Sequence, residues 1–290
     1  MKSTHVAEPF RVTDGKNFRL KQFDSSAKHG FPSKQHAMKA SQAALARLTE
    51  LQDRLYADDR WALLLIFQAM DAAGKDSTIK HVMSGVNPLG CEVFSFKSPS
   101  AEELDHDYLW RTTRCLPERG RIGIFNRSYY EEVLAVRVHP EFLEAQKLPY
   151  LSRNIWEERF DDIKAHERHL SRNGMVIRKF FLHVSREEQK KRFLERLDRP
   201  EKNWKFSAAD IKERQHWDSY MAAYEDMIRH TATKSAPWYV VPADTKWFTR
   251  LVVSEAIIEA LESMDLRYPE VDQAKRKELK KIRGLLASER

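Results

Sequence analysis

Five consecutive residues, Asp71–Ala–Ala–Gly–Lys75, combine a carboxylate, three small residues and an ammonium group. Small residues let backbone N–H groups curl closely round an anion, and a helix starting there adds a favourable dipole. The lysine can then reach across to a second charged group. That chemistry suits phosphate. The candidates for it are Ala72, Ala73, Gly74, Lys75, Asp76 and Ser77. Asp71 is the candidate metal-side carboxylate.

The surrounding segment Ala69–Thr78, AMDAAGKDST, follows an apolar run over 61–69 and precedes a helical pattern over 75–84. A P-loop needs this strand–loop–helix context. Two positions depart from that motif. Ala69 stands where the first glycine is usual, and Asp76 where a hydroxyl normally ligates Mg2+. Ser77 or Thr78 offers a hydroxyl, but Asp71 inside the loop is the better metal candidate. An ordinary turn with a surface lysine also fits the motif taken alone.

A second apolar run ends in Asn126–Arg–Ser–Tyr–Tyr–Glu131. Open α/β sheets bind ligands at the carboxyl ends of their strands. Arg127 there carries the planar fork that suits phosphate. Ser128 and Glu131 also fit a capping box. Arg192 and Arg196 are spaced i, i+4 and share a helix face, and Lys202 and Lys205 follow in a Pro-broken loop. This cationic stretch reads either as a lid over phosphate or as a solvated charged helix, since Glu187, Glu188 and Glu195 interrupt it. Lys97, with the aromatic residues of 94–98 and 105–110, is a candidate for the acceptor side. None of the 11 histidines is assigned to catalysis.

These residues need a scaffold. Short apolar runs at 61–69, 92–96, 121–125, 175–184 and 238–241 read as strands buried on both faces. Helical patterns lie between them, at 33–56, 100–115, 128–137, 151–172, 185–197, 207–231, 246–264 and 271–288. The alternation predicts a three-layer α/β/α fold with a mostly parallel five-stranded sheet. Residues 1–290 read as one domain, with an extended arm over 1–32 and a lid module over about 185–230. The helix over 271–288 is expected to pack on the domain or on a second subunit.

The chain is 42% hydrophobic and 32% charged with mixed signs, which excludes a disordered composition. Its net charge of +7 suits a polyanionic partner or simply a solubilising surface. Two cysteines without metal-type spacing point to a reducing compartment. The first residues lack an apolar leader. The longest apolar run, 61–70, is shorter than the roughly 20 residues a membrane span needs. A cytoplasmic protein without membrane contact is expected.

Taken together, the motifs resemble the polyphosphate kinase 2 family, a branch of the P-loop kinases. The resemblance rests on Asp71–Lys75, Phe125–Asn–Arg–Ser–Tyr–Tyr130 and Leu182–His–Val–Ser–Arg–Glu–Glu–Gln189. It also rests on Trp204–Lys–Phe–Ser207, Trp217–Asp–Ser–Tyr220 and Ala236–Pro–Trp238, and covers residues 35–260. It implies phosphoryl transfer between inorganic polyphosphate and nucleotides with Mg2+ or Mn2+. Carried over by motif, Asp71 orients the metal or accepting phosphate, Lys75 bridges phosphates, Arg127 neutralises the transferred group, and Arg192 and Arg196 belong to the lid. Many members have Asp where this chain has Asn126, and Asn where it has Glu131. Both departures resemble the class III subgroup, which phosphorylates AMP as well as ADP, giving ADP and ATP. A homo-oligomer is expected, and nothing else supports a nucleic-acid partner. The rivals are an ATP-dependent nucleoside monophosphate kinase and a non-catalytic basic P-loop protein binding nucleotide or nucleic acid.

Lys75→Ala is expected to leave the fold intact and lower turnover by about 100- to 1,000-fold, the usual effect of removing one preorganised charge. Steady-state kinetics alongside circular dichroism check this. Turnover within about tenfold of wild type would refute the assignment.

Overall fold

A computed structural model describes residues 6–289 except 30, 32 and 205. Its sheet has six strands: β1 (Arg11–Val12), β2 (Ala62–Gln68), β3 (Cys91–Ser95), β4 (Ile122–Asn126), β5 (Met175–His183) and β6 (Trp238–Pro242). Their order is β1-β6-β5-β2-β4-β3. Neighbours are parallel except β1, which runs antiparallel to β6. The expected five-stranded sheet is therefore corrected to six. The extra strand comes from the N-terminal arm, and two residues are too few to show a period of 2.

The main helices are α1 (Lys34–Asp58), α2 (Lys75–Val82), α3 (Ile155–Arg172), α4 (Arg186–Leu197), α5 (Ala208–Gln215), α6 (Trp217–Thr231), α7 (Lys246–Glu262) and α8 (Gln273–Ser288). Helix α7 packs on β5 and β6 and also meets α1 and α2, while α3 packs on β5 and meets α6. All seven residues of β2 are buried, as the continuous apolar run requires of a central strand. The register sets Phe67 of β2 opposite Asn126 of β4, so the chain leaves both strands at the same level of the sheet. The loop after β2 and the turn after β4 consequently lie side by side.

Several expected helices are shorter or broken. The pattern over 207–231 splits at His216 into α5 and α6. The pattern over 100–115 becomes two single turns, Ala101–Leu104 and Trp110–Thr113. Residues after Ser128 begin as a 3-10 turn, Tyr129–Val133, before Ala135–Val138. Capping boxes close on Ser100/Glu103 and Ser207/Asp210. At Ser128 the hydroxyl accepts from the Tyr130 N–H, while Glu131 turns elsewhere. Helix α8 buries no residue, and its Leu279, Ile282, Leu285 and Leu286 are exposed.

The N-terminal arm is not a loose extension. Its Val6, Ala7, Phe10, Val12, Phe18 and Leu20 are buried in the core. The Leu20 N–H donates to Glu225 Oε2 of α6 at 2.8 Å, and the Phe10 ring meets the Phe248 ring edge-on at 5.8 Å. Gly15 marks the closest approach: a Cβ there would sit 1.9 Å from the Arg229 carbonyl oxygen of α6. That atom is backbone and cannot swing aside. Gly15→Ala is expected to cost about 1–3 kcal/mol by overpacking. Thermal unfolding followed by circular dichroism should then show a melting temperature lowered by several degrees. An unchanged transition would mean the arm does not hold this close contact.

Candidate active site

The loop between β2 and α2 is shaped by two left-handed residues, Ala72 (φ +60°) and Gly74 (φ +108°). Glycine takes that conformation freely, whereas alanine does not. At Ala72 the surroundings hold it. Arg192 Nη1 donates to the Ala72 and Ala73 carbonyls at 3.1 and 2.7 Å, and Gln189 Nε2 donates to the Asp71 carbonyl at 2.9 Å. Three successive carbonyls are thereby turned toward α4. The first-turn N–H groups of α2, which have no intrahelical acceptor, are left for an anion.

Arg192 is therefore not a free lid cation. It is 5% exposed, and its Nη2 also donates to the carbonyls of Ala243 and Asp244 at 2.6 and 3.2 Å. Its Nε donates to Glu188 Oε1 at 2.8 Å. The i, i+4 spacing correctly put Arg192 and Arg196 on one face, but the first half of that face lies under the phosphate loop. Arg196, one turn on, lies 3.8 Å from Asp210 Oδ2 and over the Phe193 ring. Lys202 sits on the short helix Pro200–Asn203. Lys205 lies outside the described residues.

Lys75 opens α2 and is 9% exposed, with its Nζ donating to the Ala69 carbonyl at 2.9 Å. Burial pushes its ammonium down to about 8, with Arg127 acting in the same direction and Asp71, Glu131 and Asp76 opposing. Arg127 leaves β4 in the left-handed region, at φ +64°. Its Nη2 donates to Asp71 Oδ1 at 3.0 Å, and its Nη1 lies 3.7 Å from Glu131 Oε2. The side chain is still 40% exposed. Glu131 and then Asp71 hold its guanidinium above the ordinary range against burial. Gln68 Nε2 donates to Glu131 Oε1 at 3.1 Å, and Asn126 Nδ2 donates to Asp76 Oδ1 at 2.9 Å. Ser77 turns its hydroxyl back onto the Gly74 carbonyl at 3.0 Å. The structure thus brings Asp71, Lys75, Asp76, Asn126, Arg127 and Glu131 together at the ends of two neighbouring strands.

Beside them opens a cavity of about 530 Å³, within the range of small-molecule sites. Asp71, Arg127 and Glu131 form one side, and Lys97, Phe96, Tyr108 and Phe142 line the rest. The Lys97 carbonyl accepts from Arg111 Nη1 at 2.8 Å. Buried Glu132 backs the wall, holding Arg159 at 3.1 Å, and the Arg159 guanidinium lies 4.4 Å from the Tyr108 ring centre. Helix α5 brings two carboxylates to the cavity, Asp210 and Glu213. Glu213 Oε2 accepts from the Tyr220 hydroxyl at 2.6 Å and lies 3.0 Å from His139 Nε2. The motif reading assigned nothing to Gln68, Glu213 and His139, and it held Gln189 only as the end of a motif without a role. Gln68, a lone amide inside an apolar run, was the one with a visible signal.

A family model described as polyphosphate kinase 2 matches residues 32–269. The chain belongs to the polyphosphate kinase 2 family. It is 55% identical over 280 residues to a Rhodopseudomonas palustris protein named ADP-polyphosphate phosphotransferase, covering 96% of this chain and 97% of that one. It is 44% identical over 269 residues to a Meiothermus ruber protein named AMP/ADP-polyphosphate phosphotransferase, covering 92% and 97%. The crystal structure of polyphosphate kinase 2 from Arthrobacter aurescens TC1 superposes with a TM-score of 0.89 at 38% identity, covering 98% and 97% of the two chains. The fold is thus the three-layer P-loop kinase fold of polyphosphate kinase 2, with six strands.

P-loop kinases use a divalent cation that bridges phosphates. Among the described residues no three His, Cys, Asp or Glu side chains converge as a protein-only metal cage. Asp71 and Asp76, flanking the loop, fit the other arrangement, in which one or two carboxylates share the ion with substrate phosphates.

A bound phosphate should raise the Lys75 pKa again, so binding takes up a proton wherever the free lysine is neutral. Affinity for inorganic polyphosphate is expected to be insensitive to pH well below pH 8, where Lys75 is charged, and to fall as pH rises through about 8. Titration calorimetry at fixed ionic strength measures it, with Lys75→Arg expected to lose the slope. A wild-type affinity that stays flat from pH 7 to 10 would refute the pairing of a depressed Lys75 ammonium with a phosphate contact.

Proposed function

We propose that this polyphosphate kinase 2 chain transfers the terminal phosphoryl group of inorganic polyphosphate to AMP and ADP, giving ADP and ATP, with Mg2+ or Mn2+. The observation that carries this reading is the Arg127–Asp71 ion pair. It stands beside buried Lys75, at the mouth of a cavity of nucleotide-site size. The names of the two relatives, which specify ADP and AMP/ADP, support it.

In this reading an oxygen of the acceptor's terminal phosphate attacks the terminal phosphorus of polyphosphate. A P–O bond forms to the nucleotide as the P–O bond to the chain breaks, and the chain leaves one unit shorter. Both attacking and leaving oxygens are phosphate oxygens that ionise readily, so no side-chain base is needed. The protein's work is positioning and charge stabilisation. The N–H groups of Ala72, Gly74 and the α2 terminus hold one phosphate, Lys75 spans two, and Arg127 neutralises the moving group, while the Ala73 N–H closes the loop on the Met70 carbonyl at 3.2 Å. Asp71 and Asp76 would hold the divalent cation, which supplies further charge neutralisation between phosphates. Asn126 keeps the Asp76 carboxylate in place. Arg196, Lys202 and Lys205 serve the polyphosphate side, and Lys97 with Glu131 the nucleotide side. The exposed apolar stripe of α8 supports assembly with further copies.

Purified protein, AMP, Mg2+ and polyphosphate should yield ADP first and then ATP, followed by ion-exchange chromatography. Product formed with ATP as donor but none with polyphosphate would overturn the proposal. Glu131→Asn is expected to depress AMP turnover about tenfold more than ADP turnover, a difference of about 1.4 kcal/mol in transition-state energy. Equal losses on the two acceptors would leave Glu131 as a partner of Gln68 and Arg127, with no part in acceptor choice.

A further inference from the structure

Behind the turn that carries Arg127 and Glu131, the core holds a full charge. Lys179, in the middle of β5, is 0% exposed. Its Nζ donates to Glu167 Oε2 of α3 at 2.7 Å, to the Tyr130 hydroxyl at 2.9 Å and to the Thr231 carbonyl of α6 at 2.8 Å. All three ammonium hydrogens are thereby placed. Glu167, also buried, accepts on Oε1 from the Tyr129 and Tyr130 hydroxyls at 2.9 and 2.7 Å. Burial beside this carboxylate pushes both phenols well up, so both remain donors at working pH. No atom of this network lines the cavity except through Tyr129.

A buried ion pair is weak evidence for stability, because well-packed apolar residues often do as well or better. Its best use is to specify one arrangement among several. Here the arrangement it specifies is legible. Tyr129 and Tyr130 lie between Arg127 and Glu131 in the chain, and all four belong to one short segment, a left-handed residue followed by a 3-10 turn. A 3-10 turn has poorer hydrogen-bond geometry than an α-helix and does not hold itself rigidly. Two phenol hydroxyls fixed on one carboxylate, which is itself fixed by an ammonium from the central sheet, hold it from behind.

We propose that the Lys179–Glu167 pair is a positioning device that acts through the Tyr129 and Tyr130 hydroxyls to aim Arg127 and Glu131 at the cavity. The inference rests on the polyphosphate-dependent activity proposed above. Lys179 and Glu167 touch no substrate, and their effect on turnover passes through the turn.

The test removes the charges together. Lys179→Met/Glu167→Leu fills the same space without leaving an unpaired ion. The buried Tyr129 and Tyr130 hydroxyls and the Thr231 carbonyl lose these partners, so it is expected to fold with a lowered melting temperature. Its kcat with AMP should fall about tenfold or more, KM for polyphosphate should move less than kcat, and the AMP-to-ADP preference should shift. A second variant, Tyr130→Phe, should show the same kcat loss in milder form. A folded double variant with wild-type kcat and acceptor preference would overturn the proposal. If neither variant folds, the network is a stability element and the proposal falls. Wild-type protein inactive with polyphosphate would remove both readings, whereas normal wild-type turnover with unaffected variants removes only this one.

Discussion

The site depends on which way the peptide units of one tight loop point. A chain that curls round an anion must present N–H groups inward and send its carbonyls elsewhere, and those carbonyls need donors. Arg192 supplies them, gathering the carbonyls of Ala72 and Ala73 from the loop and of Ala243 and Asp244 from the end of β6. Hydrogen bonds to a charged donor contribute about 1.5–3 kcal/mol each. Several of them outweigh the roughly 1–2 kcal/mol that a left-handed alanine costs. A lysine could not do the same, because its compact ammonium cannot span two loops with a rigid fork.

The same guanidinium ties α4 to the loop through the Ala72 and Ala73 carbonyls. What reaches the cavity from the cationic region is instead α5, and it brings Asp210 and Glu213. Both signs of charge meet at the site: Lys75, Arg127 and Asp71 stand at the loop, and the cavity beside it is lined by Lys97 and Arg111 as well as by Asp210 and Glu213. Carboxylates accept hydrogen bonds from ribose hydroxyls and exocyclic amines and repel a bare phosphate.

Much of this was legible in the sequence because the signals were local. The run over 61–69, the loop after it and the Asn126–Glu131 segment lie within a few residues of the strands that position them. The relation between the two strand ends followed from the general rule for open sheets. The partners of the loop were not legible. Gln189 and Arg192 lie 118 and 119 residues from the carbonyls they hold at Asp71 and Ala73. Spacing identifies which residues share a helix face, not what that face meets, and so Arg192 read as a substrate cation. Strand β1 escaped notice because two residues carry no periodicity. Lys179 carried a weaker signal, since Arg178 stands beside it in β5; a buried ammonium needs a carboxylate, and Glu167 on the preceding helix supplies it.

The left-handed backbone at Arg127 has a consequence for protein engineering. In that region the direction of the side chain and the path of the chain are set together, and few residue types tolerate it. Variation at positions 126–131 will therefore change several properties at once. The aromatic walls of the cavity are tied into the same turn. The Phe96 N–H donates to the Asn126 carbonyl at 3.1 Å and its ring meets Phe125 edge-on at 5.0 Å, while Tyr108 faces the Arg159 that Glu132 holds. A combinatorial library over this cavity therefore has to vary Phe96 and Tyr108 together with the turn, because contacting positions do not add independently.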